Sequence, residues 1–201
     1  MPMLVRIDKD IHNIQEAIAD VVSRIDALHL KYAQAIAKAA HQQILLAAFS
    51  FCTQKCPQEF LTLTLTERQN FQEELQKTIK ALIEQIQKTL EECDRDNRTN
   101  QENLDSLLSK SLDESMEKLN KLLVEHKILS ADAANKDNKA SKMSIRLAEI
   151  EFTDRQVMSS RGELRVLSAR LNHLHNELEK KYQLKTIAEA ELAWRSAWVE
   201  S

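Results

Sequence analysis

Residues 4–39 read LVRIDKDIHNIQEAIADVVSRIDALHLKYAQAIAKA, and their periodicity sets the fold class. Apolar residues recur at alternating steps of three and four over about five repeats, the a/d heptad pattern of a helix that packs against another helix. β-Branched residues dominate the first part of this seam and pack well as knobs between helices. The sequence therefore predicts a long N-terminal helix with its coiled-coil seam at Ile7, Ile11, Ile14, Ile18, Val21, Ile25 and Leu28.

A second seam of this kind lies towards the C-terminus. Apolar residues stand seven apart from Met143 to Leu178, and further leucines complete the pattern in its middle. Polar residues hold the companion position earlier in the segment, so that part of the seam is narrow. Either one helix of about 55 residues or a break near residues 151–154 fits this pattern. The complete part of the seam comprises Leu164, Leu167, Leu171, Leu174 and Leu178.

Glycine and proline are nearly absent, with one glycine and two prolines among 201 residues. Average proteins contain about 7% glycine and about 5% proline, which β-folds and phosphate-binding loops use for turns. Helices need neither residue, because both weaken helix interiors. The predicted fold class is all-α: an elongated helical bundle or coiled coil, with long N- and C-terminal helices and a shorter central helical hairpin.

We predict one elongated helical domain over residues 1–201, with helices at about 4–54, 67–93, 103–129 and 143–198. A polar stretch at about 130–142 is predicted to be a mobile linker. Residues 56–66 are predicted to form an extended connector, because leucine and threonine alternate over residues 61–66. Thr66 to Gln69 has the form of a capping box for the second helix. Residues 44–51 are apolar nearly all round, which predicts burial on several sides.

Several function classes are disfavoured by the sequence. The N-terminus lacks the apolar core of a signal peptide, and no apolar run approaches the about 20 residues of a membrane span. We therefore expect a cytoplasmic protein. No catalytic, nucleotide-binding or metalloprotease motif is present, and the histidines do not share ligand spacing. The expectation is a protein that is not an enzyme, with no cofactor and no metal.

Cys52 and Cys56 lie four residues apart, just before Pro57. Two thiols on one helix face could form a redox-sensitive contact, whereas a structural zinc site needs four ligands and only two are found locally. Cysteine is also a small apolar residue that is often buried. The sequence favours the structural interpretation and leaves redox activity open.

Two groups of residues are candidate partner-binding sites. Arginines cluster in the last predicted helix and could bind an acidic partner or a phosphate-rich polymer, although the net charge of −3 disfavours nucleic-acid binding. The sequence favours intramolecular or solvated charges instead, because residues 57–129 of the same chain carry 10 basic and 15 acidic residues. Both tryptophans of the chain lie four residues apart near its C-terminal end, and tryptophan is enriched at interface hot spots. They could instead cap one end of a bundle. The candidates are Arg155, Arg161, Arg165, Arg170, Trp194 and Trp198.

Three stretches carry a resemblance to known sequences: residues 60–69 (FLTLTLTERQ), 160–167 (SRGELRVL) and 187–198 (IAEAELAWRSAW). Together they resemble a family of helical proteins of cyanobacteria that has no assigned function. The resemblance implies a cytoplasmic protein of a photosynthetic bacterium. It implies no chemistry, so it assigns no functional residues.

Long seams without catalytic motifs favour a non-enzymatic coiled-coil scaffold or adaptor that acts through protein–protein contacts. A homodimer formed through the seams at residues 4–39 and 143–178 is the simplest version of this hypothesis. The alternative is a helical module that binds anions or nucleic acid through the arginine-rich face of its C-terminal helix.

Overall fold

The computed structural model describes residues 2–93, 101–130 and 142–199. Every regular element in these ranges is a helix, so the predicted all-α class is confirmed. The polar segments 94–100 and 131–141, which include most of the predicted linker, lie outside the described residues. The helices are α1 (Pro2–Ser50), π1 (Phe51–Lys55), α2 (Pro57–Thr62), α3 (Leu65–Glu91), α4 (Gln101–Glu125), α5 (Leu147–Thr153) and α6 (Arg155–Val199).

The predicted extended connector after Cys56 is wrong for its first half, because residues 57–62 form the short helix α2. Pro57 stands at the first helical position, where its fixed φ favours a helix and its missing N–H is not needed. The guanidinium of Arg68 then donates to the backbone oxygens of Phe60 (3.2 Å) and Leu61 (2.7 Å). These bonds satisfy carbonyls that have no partner within so short a helix.

The capping box of α3 lies two residues before the predicted one, at Thr64 and Glu67. The Thr64 hydroxyl accepts from the backbone N–H of Glu67 at 3.3 Å, and the Glu67 carboxylate accepts from the Thr64 N–H at 2.7 Å. Both Thr64 and Thr66 fit the sequence pattern. A carboxylate near a helix N-terminus is favoured by the helix dipole, which the amide of Gln69 would not match.

The predicted C-terminal helix begins at Leu147 rather than at residue 143, and it breaks at Asp154. The break lies in the range considered from the sequence. The carboxylate of Asp154 caps the start of α6, because it accepts hydrogen bonds from the N–H groups of Gln156 (2.8 Å) and Val157 (3.0 Å). Residues 142–146 before α5 have no regular secondary structure. The buried amide of Asn120 pairs there with both the N–H (2.9 Å) and the carbonyl (2.8 Å) of Met143.

The described residues fall into two compact units. The first combines α1 up to Leu28 with α6 from Gly162. Its two helical segments run antiparallel, because Asp8 pairs with Lys185 (2.7 Å) and Asp10 with Lys181 (2.6 Å). The hydrogen bond with Lys181 lowers the pKa of Asp10, and the bond with Asp8 raises the pKa of Lys185.

The second unit comprises the described residues between His29 and Arg161. Within it α3 and α4 run antiparallel, since His126 contacts Glu74 (2.7 Å) while Lys118 contacts Gln85 (3.4 Å). Each helix buries one stripe of apolar residues, and α1 adds tyrosine, isoleucine and several alanines to the same core. The buried residues of α3 are Phe71, Leu75, Ile79, Leu82, Ile86 and Leu90.

The end of α1 is less buried than its composition predicts. Ile44 and Ala48 are in the core, but Leu46 keeps 59% and Phe49 keeps 65% of its surface exposed. The prediction of burial on several sides is therefore wrong here. A helix that is apolar all round needs neighbours all round, and the second unit covers only one face of this segment.

Candidate protein-interaction surface

The two predicted seams are closed within a single chain. Ile7, Ile11, Val21, Ile25 and Leu28 are buried, and Ile14 and Ile18 are half-buried. On α6 the seam residues Leu164, Leu167, Leu171 and Leu174 are buried and Leu178 is half-buried. Both groups belong to the first unit, whose described residues form two helical segments, one from α1 and one from α6. The two seams therefore pack against each other within one chain, and their burial needs no second chain.

The residues of α6 become more exposed towards its C-terminal end. Leu174 is buried and Leu178 half-buried, whereas every residue from Glu189 to Trp198 is exposed. Trp194 and Trp198 each keep 69% of their surface exposed. Their ring centroids lie 6.1 Å apart with the planes inclined at 46°. Since the indoles touch each other and remain open to solvent, the alternative in which they cap a bundle is not supported.

Four residues form a second stripe on this part of α6: Ile187, Glu191, Trp194 and Trp198. Their steps of four, three and four are those of a coiled-coil seam. Trp194 lies 20 residues beyond Leu174 in the sequence, which at 3.6 residues per turn is roughly 200° around the helix. The stripe therefore faces away from α1. Ile187 is 56% exposed, and Glu191 pairs with Arg195 at 3.8 Å beside it. We call these four residues with Arg195 the tryptophan face.

One of the four candidate arginines is internal. Arg161 is 8% exposed and forms ion pairs with Glu151 of α5 and with Asp105 of α4, the latter at 2.5 Å. A guanidinium held by two carboxylates offers no binding site to an external anion. The hypothesis of an anion-binding face therefore has to be restated without Arg161.

The remaining candidate arginines are exposed on α6. Arg155 belongs to the second unit, and Arg165 and Arg170 belong to the first. At about 100° per residue, Arg165 and Arg170 stand roughly 140° apart around the helix. The structure thus does not bring the candidate arginines into one compact cluster.

The thiols of Cys52 and Cys56 lie at π1, where the N–H of Cys56 bonds the carbonyl of Phe51 at 2.9 Å. Cys52 is buried and Cys56 half-buried, and none of the chain's cysteines forms a disulfide. Burial, and secondarily the neighbouring Cys56, raises the pKa of Cys52 to about 11. Burial also raises the pKa of Cys56. Since the thiolate is the reactive form, these shifts favour the structural interpretation.

Sequence reasoning missed a buried polar cluster at the C-terminal end of α3. The imidazole Nε2 of the fully buried His29 lies 2.6 Å from the carbonyl oxygen of Leu90, and the sulfur of Cys93 lies 3.4 Å from the same nitrogen. The contact satisfies a carbonyl at a helix end, which is a structural task. No local signal could reveal it, because His29 and Cys93 are 64 residues apart.

The second unit contains an apolar cleft of about 330 Å3, lined in part by Phe49, Cys52 and Phe71. It also contains a groove of about 820 Å3 between α4 and residues 142–147. Both are half open. Nowhere in the described ranges do three or more histidine, cysteine or acidic residues come together as metal ligands.

No protein-family model matches the sequence, and neither curated proteins nor solved structures yield a match. The resemblance to helical proteins of cyanobacteria therefore stays a prediction. Among the helices that the structure describes, none is both long and apolar enough to cross a membrane.

Proposed function

We propose that this protein is a non-enzymatic coiled-coil scaffold or adaptor, and that its tryptophan face is where a partner protein docks. One observation carries the proposal. Both tryptophans of the chain lie solvent-exposed on one helix, at seam spacing, on the side opposite to the closed intramolecular seam. Tryptophan is enriched at binding hot spots, and adjacent exposed apolar side chains form the kind of patch that marks an interaction site.

The residues around the face support docking of a protein rather than of an anion. Glu191 and Arg195 give it one charge of each sign, and both are largely exposed. An apolar centre with charged residues at its edge is the usual composition of a protein interface. The arginine alternative is less favoured because Arg161, one of its four residues, is engaged with Asp105 and Glu151.

The experiment compares three forms of the full chain as immobilised baits in an extract of the source cells. They are the wild type, the double variant Trp194→Ala with Trp198→Ala, and a control that combines Phe152→Ala with Val166→Ala. The control removes two exposed apolar side chains elsewhere, since Phe152 is 80% and Val166 67% exposed. We expect a defined set of proteins, or the chain itself, to be retained by the wild type and the control and lost by the tryptophan variant.

Stability must be measured on the same three forms. Because the indoles are exposed, replacing them should change the free energy of unfolding by no more than about 0.5 kcal/mol. Equal retention of the same proteins by the wild type and the tryptophan variant would contradict the proposal. So would a large loss of stability in the tryptophan variant, because it would give the indoles a role in the fold.

A further inference from the structure

The tryptophan face has the properties of a surface that binds its own copy. We propose that a second copy of the chain covers it, with the two α6 helices antiparallel and related by a two-fold axis. This inference rests on the proposed function and names its partner. A two-fold interface requires a patch that is complementary to itself, so the question is whether residues 187–198 meet that condition.

The charges on the face distinguish the two possible orientations. In a parallel pair, the seam residue Glu191 would face Glu191 of the second copy, and facing like charges are unfavourable. In an antiparallel pair that sets Ile187 beside Trp198 of the second copy, Glu191 comes within one residue of the second copy's Arg195. The two-fold axis repeats this contact, so each copy contributes one charge of each sign.

The apolar residues obey the same antiparallel register. Each end of the stripe combines Ile187 of one copy with Trp198 of the other, and the two Trp194 side chains lie next to each other near the axis. The existing ion pair between Glu191 and Arg195 does not prevent this arrangement. At 3.8 Å, with the side chains 61% and 78% exposed, it is a weak surface pair whose members can exchange partners.

The contact also leaves the internal packing of the first unit intact. The closed seam of α6 and the tryptophan face lie roughly 200° apart around the helix, so the second copy does not compete with α1. A buried indole contributes about 150–250 Å2, so two per copy fall below the roughly 800 Å2 per partner of a standard interface. The dimer should accordingly be weak, with a Kd in the range of about 10–100 μM.

The charge pair provides the sharpest test. Glu191→Arg and Arg195→Glu are made separately in the full chain, and mass is followed by analytical ultracentrifugation from about 5 to about 500 μM, a range that brackets the expected Kd. Each variant places like charges on both halves of the interface. We expect each alone to raise Kd at least tenfold, and an equimolar mixture of the two to recover the dimer, because one variant then faces the other's opposite charges.

The mixture separates an intermolecular contact from an effect inside the helix. Both variants carry an unfavourable i, i+4 pair within their own α6, and mixing cannot relieve it. Circular dichroism of each variant checks that the helix content is kept. Intrinsic fluorescence gives a second readout, because both tryptophans of the chain lie on this face and their emission should shift to the blue as the wild-type dimer forms.

Three outcomes would overturn the inference: a wild type that stays monomeric across the range, single variants that dimerise like the wild type, or a mixture that stays monomeric. These failures are distinct from failure of the proposed function. The wild type could be monomeric and yet bind a different protein that the variant with Trp194 and Trp198 replaced does not bind. That result would keep the docking surface and exclude only the second copy as its partner.

Discussion

At the scale of single residues, the most consequential side chain is Arg161. Its guanidinium joins α4, α5 and α6 through Asp105 and Glu151, in a site where Arg161 itself is almost fully buried. Removing one member of a buried ion pair is far more damaging than replacing the whole pair, because the remaining charges lose their compensation. Arg161 is thus a residue of the fold and not of a binding face.

Arg161→Leu should destabilise the chain by about 2–4 kcal/mol, since it leaves two carboxylates facing each other without a cation. Arg170→Leu is the matched control, because Arg170 lies exposed on the same helix. Its effect should stay within about 0.5 kcal/mol. Urea unfolding of both variants measures the difference, and equal effects would show that the Arg161 ion pairs contribute nothing to stability.

Glu67 should make stability depend on acid pH. Its hydrogen bonds from the backbone and the hydroxyl of Thr64 lower its pKa from the usual 4.5. A carboxyl whose pKa is lower in the folded state stabilises above its unfolded pKa, and this contribution disappears as pH falls through the folded pKa. The stability advantage of the wild type over Glu67→Gln should therefore shrink between about pH 6 and about pH 3. An advantage that stays constant with pH would contradict this account.

Lys127 adopts a positive φ of 59° just after α4. The N–H of Ile128 bonds the carbonyl of Leu123, so the turn closes α4 in the manner of a Schellman motif, where glycine is preferred. Lys127→Gly should therefore raise the free energy of unfolding by about 0.5–1 kcal/mol. The same change at Lys121, exposed within α4, should lower it by about 1 kcal/mol. Thermal unfolding of the two variants should show opposite signs, and a shared sign would count against the turn.

At the scale of elements, α6 combines an internal seam, an exposed face and the chain's single glycine. Gly162 lies inside the helix, and a Cβ added there meets no atom within 4 Å. Gly162→Ala should therefore stabilise the protein by up to about 1 kcal/mol and raise Tm by about 2–4 °C, through the lower conformational entropy of alanine in the unfolded chain. A lower Tm would show that α6 needs a flexible point at Gly162.

Element type follows from the sequence more readily than element ends. Heptad spacing identified the two long helices, and the stripes of α3 and α4 were equally clear, because one face of each helix must be apolar to be buried. The start of α3 was misplaced because Thr64 and Thr66 both fit a capping box. Helix α2 was missed because the alternating leucines of residues 61–65 outweighed the helix-starting position of Pro57.

Contacts between distant segments account for what the sequence could not reveal. The acidic segment 57–129 was a candidate partner of the arginines, but the sequence could not single out the pair of Arg161 with Asp105, which are 56 residues apart. The contact between His29 and Leu90 spans 61 residues. Trp194 and Trp198 were singled out by residue type, by their four-residue spacing and by their place near the C-terminal end. Their exposure follows from their place at the end of α6, where every residue from Glu189 to Trp198 is exposed, and periodicity does not specify this.

At the scale of the whole molecule, the account depends on which chain closes the seams. If α1 and α6 of the same chain pack against each other, their seams are buried and the tryptophan face remains as the surface for a partner. A seam closed between chains would make the seam itself the oligomer interface. The two arrangements use the same residues and would have similar helix content, so only a measurement that identifies the chain of each partner separates them.

Zero-length carbodiimide crosslinking of an equimolar mixture of isotope-labelled and unlabelled chains is that measurement. It joins carboxylates to amines that are already in contact, and the ion pairs Asp8–Lys185 (2.7 Å) and Asp10–Lys181 (2.6 Å) are suitable. Mass spectrometry of the linked peptides then reports whether both halves came from one chain. The account predicts linked peptides that are wholly labelled or wholly unlabelled. Linked peptides with one labelled and one unlabelled half, in about half of the product, would contradict it.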